Sequence, residues 1–193
     1  MKIVNPATGA VIADIAADNA AAVRRKYEAA RAGQARWAKV PIRNRIEAIA
    51  RFRAEVVARH ETLARTLTSE VGKPIRQSKN ELNGLLGRID FFLAESLRAL
   101  REQRVHTDVK QHMDERITHE PLGVVANISA WNYPYFVGSN VFVPALVAGN
   151  SVLYKPSEFA TLTGLSIAAP MSYGSRWRLS QRVLTGERRT GSQ

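Results

Sequence analysis

The spacing of the apolar residues changes abruptly near residue 121, and this change constrains the fold more than any other feature of the chain. Between residues 18 and 100 apolar side chains recur every three or four positions. That spacing is typical of helices that bury one face. Residues 122–128 form a short run rich in β-branched residues instead, as in a parallel strand buried on both faces. The sequence therefore predicts helical hairpins followed by an α/β unit.

The segments after residue 121 follow the order strand, helix, strand, helix. A polar-aromatic loop and an apolar segment follow the first strand, and Gly149 closes the apolar segment, which predicts a helix with Pro144 as a kink. Residues 151–155 predict a second strand, and residues 161–168 begin another helix. This order predicts the first βαβ part of a Rossmann-like fold, which the chain leaves incomplete.

The chain divides into three regions. Residues 1–120 predict an N-terminal helical region, with a leading hairpin over residues 3–15, an N-cap at Asp18 and a polar, irregular connecting segment over residues 104–120. Residues 121–169 predict a partial dinucleotide-binding domain. Residues 170–193 form a basic tail without apolar periodicity. We expect this tail to be disordered and unrelated in origin to the preceding residues, most simply because of a frameshift; a disordered basic arm is the competing interpretation.

Composition excludes several classes of function. The chain has no cysteine, which removes disulfides, thiolate metal ligands and thiol nucleophiles. Its four histidines form no metal-binding motif, so no metal site is predicted. No apolar stretch is long enough to span a membrane, and the first residues do not resemble a secretory signal, so we expect a cytoplasmic protein. The net charge of +11 does not predict nucleic-acid binding, because acidic residues interleave with the basic ones along the helices.

Polar residues follow both predicted strands. Asn132 lies in the loop after the first strand, and Lys155 and Glu158 lie at the end of the second. Ligands of open α/β sheets bind beyond the carboxyl ends of the strands. A neutral amide suits donation to a developing oxyanion, and a Lys-Glu pair suits a ribose ring. These residues alone leave open whether they form a site or are turn and surface groups.

Three ordered motifs give the chain a family resemblance. They are Trp131-Asn132-Tyr133-Pro134, Pro144-Ala145-Leu146-Val147-Ala148-Gly149-Asn150 and Lys155-Pro156-Ser157-Glu158. Two weaker landmarks lie upstream, Asn5-Pro6-Ala7-Thr8-Gly9 and Glu70-Val71-Gly72-Lys73-Pro74. Together they resemble the N-terminal portion of the NAD(P)-dependent aldehyde dehydrogenase superfamily over residues 3–168. The implied activity is the oxidation of an aldehyde to a carboxylic acid.

The resemblance implies roles for individual residues. Asn132 resembles the side-chain donor of the oxyanion hole that stabilises the thiohemiacetal. Lys155 and Glu158 resemble the pair that holds the adenosine ribose. Ile128, Ser129 and Trp131 resemble the part of the family's loop that lies along the cofactor. A carboxylate at Glu158 would repel a 2′-phosphate, so NAD is favoured over NADP.

The departures from the family pattern bear on activity. The family's catalytic cysteine and general-base glutamate lie downstream of the matched motifs, and the family's glycine-containing turn for the pyrophosphate follows the next strand. None of these is identified in this sequence. We therefore expect a truncated chain that binds NAD weakly and is inactive alone. Its expected partners are the family's aldehyde substrate and a second subunit, as a homo-oligomer or by pairing with a full-length relative. Non-catalytic dinucleotide binding or subunit pairing is the alternative function, and nucleic-acid binding through the tail is less favoured.

Overall fold

The structure, a computed structural model, describes residues 1–168 and 181–186. It begins with an antiparallel hairpin of β1 (Lys2–Val4) and β2 (Val11–Asp14). Four helices follow, and they are α1 (Ala20–Trp37), α2 (Ile42–Ala58), α3 (His60–Val71) and α4 (Ile75–Ala99). The predicted hairpin and the predicted helical region are confirmed.

The apolar stripes of α2, α3 and α4 face one shared core, as their spacing predicts. The side chains that are at most 2% exposed there are Ile49, Phe52, Val56, Leu63, Leu67, Leu82, Leu85 and Ile89. Helix α3 ends at Gly72, whose φ of 77° is the left-handed conformation that glycine adopts without steric cost. The helical stripes are therefore core residues.

The polar connecting segment is not irregular, and that prediction is wrong. Strands β3 (Gln103–Asp108) and β4 (Met113–Ile117) pair as an antiparallel ribbon. Both strands are exposed on both faces, apart from a half-buried Asp108. Apolar and polar residues alternate along a strand when one of its faces is buried. Because neither β3 nor β4 buries a face, the sequence of this segment lacks that alternation. Exposed ion pairs flank the ribbon, with Arg116 Nη1 2.6 Å from Glu102 Oε1.

The predicted βαβ unit is confirmed. It consists of β5 (Val124–Ile128), α5 (Pro134–Val147) and β6 (Ser151–Lys155), and α6 (Thr161–Ala168) follows it after a short 3-10 turn (Glu158–Ala160). Strands β5 and β6 are parallel, and their register pairs Val124 with Ser151 and Ile128 with Lys155. Helix α5 continues through the internal Pro144.

Helix α5 lies at the centre of the molecule, between the N-terminal helices and the sheet. Its residues Tyr135, Phe142 and Leu146 have no exposed surface. The ring of Phe142 makes edge contacts with Phe52 of α2, at 6.0 Å between centroids, and with Tyr154 of β6, at 5.7 Å. The N-terminal helices and the α/β unit therefore share a single core around α5.

Burial on both faces holds for β6 but not for β5. Four of the five residues of β6 are buried, whereas Ile128 of β5 is 82% exposed. Leu122, which precedes β5, is 91% exposed. On the buried side of β5, Asn127 donates to the carbonyl of Gly138 in α5 at 2.8 Å. Strand β5 thus covers α5 with one face, whereas its other face is only partly covered.

The predicted disorder of the tail is wrong for residues 181–186. Within them, β7 (Gln181–Val183) pairs with β6 in parallel and gives the sheet order β5-β6-β7. Leu184 N then donates to Tyr154 O at 2.7 Å. Sequence periodicity could not identify so short a strand, because its partner β6 defines it. The other residues of the tail lie outside the described part of the chain.

Asp18 joins this last segment to the start of α1. The sequence predicts Asp18 as the N-cap of that helix, but Asn19 is the N-cap, with its side chain accepting from Ala22 N at 2.9 Å. Asp18 Oδ2 instead accepts from Lys26 Nζ at 2.6 Å and from Thr185 N at 2.8 Å. Burial opposes the charge of Asp18, but these two partners hold its pKa below the ordinary value.

Replacing Asp18 by alanine should release residues 184–185 from the body of the protein. The change removes a charge-assisted contact of about 1.5–3 kcal/mol, so hydrogen exchange at the Leu184 and Thr185 amides should accelerate. The matched control is Asp14→Ala, since Asp14 is exposed and pairs with the amino terminus. Unchanged exchange at both amides in the Asp18 variant would contradict this role.

The same contact predicts a pH dependence. The pKa of Asp18 is lower in the folded chain than the ordinary value of 3.8, so its stabilisation is fully present above that pH. It should be lost as the pH falls further, through the lowered pKa. The difference in unfolding free energy between the wild type and Asp18→Ala should therefore shrink in acid, as urea titrations at several pH values would show.

A further prediction concerns a close contact between α5 and the sheet, at Gly138. A Cβ atom at Gly138 would lie 2.7 Å from the hydroxyl of the buried Tyr154. Gly138→Ala should therefore destabilise the chain by about 1–3 kcal/mol through overpacking. Gly87→Ala in α4 is the matched control, because nothing lies within 4 Å of the added atom. That change should stabilise the helix by roughly 0.5–1 kcal/mol. Urea unfolding of both variants measures the contrast, and equal stabilities would refute the packing argument.

Candidate functional site

The ends of β5 and β6 bring the predicted site residues to one edge of the sheet. Ile128 and Lys155 are register partners at the carboxyl ends of the two strands. Ser129, which is buried, continues the pairing by donating its N–H to the carbonyl of Lys155 at 3.0 Å. The structure therefore joins the loop after β5 to the loop after β6.

Lys155 and Glu158 form a partly open ion pair. Lys155 Nζ lies 3.6 Å from Glu158 Oε2, and the two side chains are 26% and 19% exposed. Ser157 fixes the turn between them, because its hydroxyl accepts from Phe159 N at 3.2 Å. The pair therefore presents donor N–H groups and acceptor oxygens side by side at the end of β6.

A cavity of about 500 Å³ opens beside Glu158. Its wall includes Trp131 and Phe159, whose rings meet edge to face with centroids 5.8 Å apart. Residues of β1 and Glu70 line it as well. The predicted residues Trp131 and Glu158 thus share one cavity, and Phe159 is a lining residue that the sequence does not single out.

Asn132 has a fixed backbone and a free side chain. Its carbonyl oxygen accepts from Lys73 Nζ at 2.6 Å. Within the part of the chain that the structure describes, its exposed side chain has no hydrogen-bond partner. The amide of Asn132 is therefore available to donate to a ligand.

A second cavity, of about 420 Å³, lies between α4 and the first turn of α5. Tyr133, Phe136 and Val137 line it from the α5 side, and Gln77 and Gly84 from α4. The sequence does not predict this cavity, because residues from two distant helices form its walls. It lies next to the loop that carries Asn132.

Buried glutamates occupy the N-termini of the helices that follow the strands. Glu81 Oε1 accepts from Tyr135 N at 2.8 Å in α5, and Glu70 accepts from Leu162 N at 2.8 Å and Thr163 N at 2.7 Å in α6. Burial raises the pKa of Glu70, although these hydrogen bonds oppose the rise. A helix N-terminus is a favourable site for an anion, and both positions already hold one from the protein itself.

No role is predicted for these glutamates from the sequence. The available signal is a glutamate inside an apolar helical stripe, since Glu70 comes three residues after Leu67 and Glu81 four residues before Leu85. Both are at most 6% exposed. Charged residues are rarely so buried unless they are paired.

The described residues contain neither a cluster of metal ligands nor a helix suited to cross a membrane. Among residues 1–168 and 181–186, no three His, Cys, Asp or Glu side chains converge as metal ligands would. In the same part of the chain no helix combines the length and apolar character needed to cross a bilayer.

Comparison with known proteins places this geometry in a family. The Aldehyde dehydrogenase family profile matches residues 1–173. The chain belongs to this family. It is 34% identical over 185 residues to N-succinylglutamate 5-semialdehyde dehydrogenase 1 of Caulobacter vibrioides, covering 94% of this chain and 37% of that protein. It is 30% identical over 168 residues to 3,6-anhydro-alpha-L-galactose dehydrogenase of Streptomyces coelicolor, covering 87% and 34%.

Solved structures of the family match the fold closely. The NADP-dependent glyceraldehyde-3-phosphate dehydrogenase of Bacillus halodurans, in complex with NADP, superposes with a TM-score of 0.89 at 27% identity. The match covers 97% of this chain and 40% of that one. The chain therefore spans about two fifths or less of the length of the relatives named here, and the fold of that portion is confirmed.

The third strand corrects one expectation about the family pattern. No strand after β6 and no glycine-containing turn are predicted from the sequence, yet β7 follows β6 and Gly186 comes three residues after its end. Residues beyond Gly186 lie outside the described part. The described sheet therefore has one strand more than the sequence predicts.

Proposed function

We propose that this chain supplies the ribose-binding residues and the oxyanion donor of an NAD(P)-dependent aldehyde dehydrogenase. The observation that carries the proposal is the pairing of Lys155 with Ile128 at the carboxyl ends of β6 and β5. This pairing brings the Lys155–Glu158 ion pair next to the loop that contains Asn132. Ligands of open α/β sheets bind at this edge.

The residues present fit the adenosine ribose of a dinucleotide. Lys155 can donate to one ribose hydroxyl and Glu158 can accept from another, since both side chains are partly exposed. Glu158 and Trp131 line the cavity of about 500 Å³, and Ile128 and Ser129 belong to the same loop as Trp131. The carboxylate of Glu158 would repel a 2′-phosphate, which favours NAD over NADP.

The same residues favour weak cofactor binding. The N-termini of α5 and α6 are occupied by Glu81 and Glu70, so neither helix offers its amide groups to a phosphate. The described residues thus supply contacts to the ribose. They do not supply the free helix N-terminus that would bind the phosphate groups, so we expect low affinity.

Asn132 would act on the aldehyde. Its free amide can donate to the carbonyl oxygen as negative charge develops there during addition of a nucleophile, and it requires little reorganisation because its backbone is held. The bound dinucleotide supplies the acceptor for the hydride. The nucleophile itself is missing, because the sequence contains no cysteine. We therefore propose that this chain does not oxidise aldehydes by itself. Pairing with a second subunit stays a prediction.

Calorimetric titration with NAD tests the cofactor half of the proposal. We expect weak binding that Glu158→Gln reduces about tenfold, since roughly 1.4 kcal/mol of interaction is lost. NADP should bind more weakly than NAD. The matched control is Glu120→Gln, which removes an exposed carboxylate outside the site. Tight binding that Glu158→Gln leaves unchanged would overturn the assignment of the ribose site.

Aldehyde turnover tests the other half. The purified chain, incubated with NAD and a set of aliphatic aldehydes, should produce no NADH above background, because no thiolate can add to the carbonyl. Turnover by contaminating host dehydrogenases would be insensitive to changes in this chain. Activity that survives further purification and disappears with Asn132→Ala would contradict the proposal.

A further inference from the structure

Lys73 occupies the point where the loop of Asn132 meets the helical region. It lies in the turn between α3 and α4, after Gly72 and before Pro74. Its ammonium group donates to Glu81 Oε2 and to the carbonyl oxygen of Asn132, both at 2.6 Å. It also stands 4.0 Å from the centre of the Tyr133 ring, a cation–π distance. The side chain of Lys73 is 11% exposed.

Glu81 anchors the other end of the same network. Its side chain has no exposed surface, and its two oxygens divide their partners. Oε2 accepts from Lys73, and Oε1 accepts from Tyr135 N at 2.8 Å and from Phe136 N at 3.3 Å. Glu81 therefore fixes the first turn of α5 and at the same time orients the ammonium group of Lys73.

We propose that Lys73 is a positioning residue for Asn132 and that Glu81 holds Lys73 in place. This inference rests on the proposed role of Asn132 as an oxyanion donor. The side chain of Asn132 has no partner of its own in the described residues, so its direction depends on its backbone. That backbone is fixed on one side by Pro134 at the start of α5 and on the other by the Lys73 hydrogen bond. A held backbone limits the positions that the amide of Asn132 can reach, which is one part of preorganisation for an oxyanion.

The arrangement also explains why a charged pair is buried in this part of the core. A buried ion pair is weak evidence for stability, because desolvation offsets its attraction. Here each charged group also bonds to backbone groups, Lys73 to the carbonyl of Asn132 and Glu81 to the amides of Tyr135 and Phe136. The pair therefore holds the loop of Asn132 against the first turn of α5.

Nitrogen-15 NMR spectra of the full chain test this role. In Lys73→Met the side-chain amide of Asn132 and the indole of Trp131 should shift and broaden, because the loop loses its hydrogen bond. The indole of Trp37, which donates to Leu146 O at 2.7 Å within the core, should keep its wild-type position and so report an intact fold. Lys73→Arg keeps the cation and should leave both loop signals near their wild-type positions.

The matched control is Lys79→Met in α4. Lys79 pairs with Glu61 at 2.7 Å on the surface, so its loss should leave every loop signal unchanged. The proposal is overturned if Lys73→Met leaves the Asn132 and Trp131 signals in place. It is also overturned if Lys79→Met shifts them equally, or if the Trp37 indole changes as much as they do. The measurement uses no cofactor or substrate, so a failure to bind NAD would not change its outcome.

Discussion

The packing of the chain converges on α5, where eight of the fourteen residues are buried and one face stays partly open, with Val141 39% exposed. The helix is apolar around most of its circumference, so it needs cover on more than one side. Helices α2 and α4 cover one side of α5, and strands β5 and β6 cover the other. Polar groups in the same contact are paired as well: the Trp37 indole donates to Leu146 O, and the Tyr135 hydroxyl donates to Leu63 O at 3.0 Å. The two regions of the chain therefore form one folding unit around α5.

This central position of α5 also determines the site. The first turn of α5 is the end of the loop that carries Asn132, so whatever fixes that turn fixes the candidate oxyanion donor. The buried Glu81 satisfies the helix amides there, and Glu70 does the same for α6. These two carboxylates stabilise the N-termini of α5 and α6 through hydrogen bonds and through attraction to the helix dipole. The proposed cofactor contacts therefore fall to the side chains at the strand ends, chiefly Lys155 and Glu158.

Much of the fold follows from local pattern. The helical stripes are predictable because burial of one face imposes a period on the sequence, and strand β6 is predictable because burial on both faces gives a short apolar run. The candidate residues Asn132, Lys155 and Glu158 are predictable because they follow strand ends. Strands β3 and β4 are not, since both faces are exposed and no period arises. Strand β7 is too short for any period, and it is defined by pairing with β6 and by Asp18, which lies 167 residues from Thr185 in the sequence.

The elements that bury an apolar face, the order strand-helix-strand and the family motifs can all be predicted from the sequence. Only the tertiary structure decided which side chains act on the loop of Asn132. Lys73 reaches the carbonyl of Asn132 across 59 residues, and Glu81 reaches Tyr135 across 54. Such contacts leave no periodic trace, because they depend on where α4 packs against α5. Sequence periodicity reflects which face of each element is buried in the core. The geometry of the site depends instead on how separate elements pack against each other.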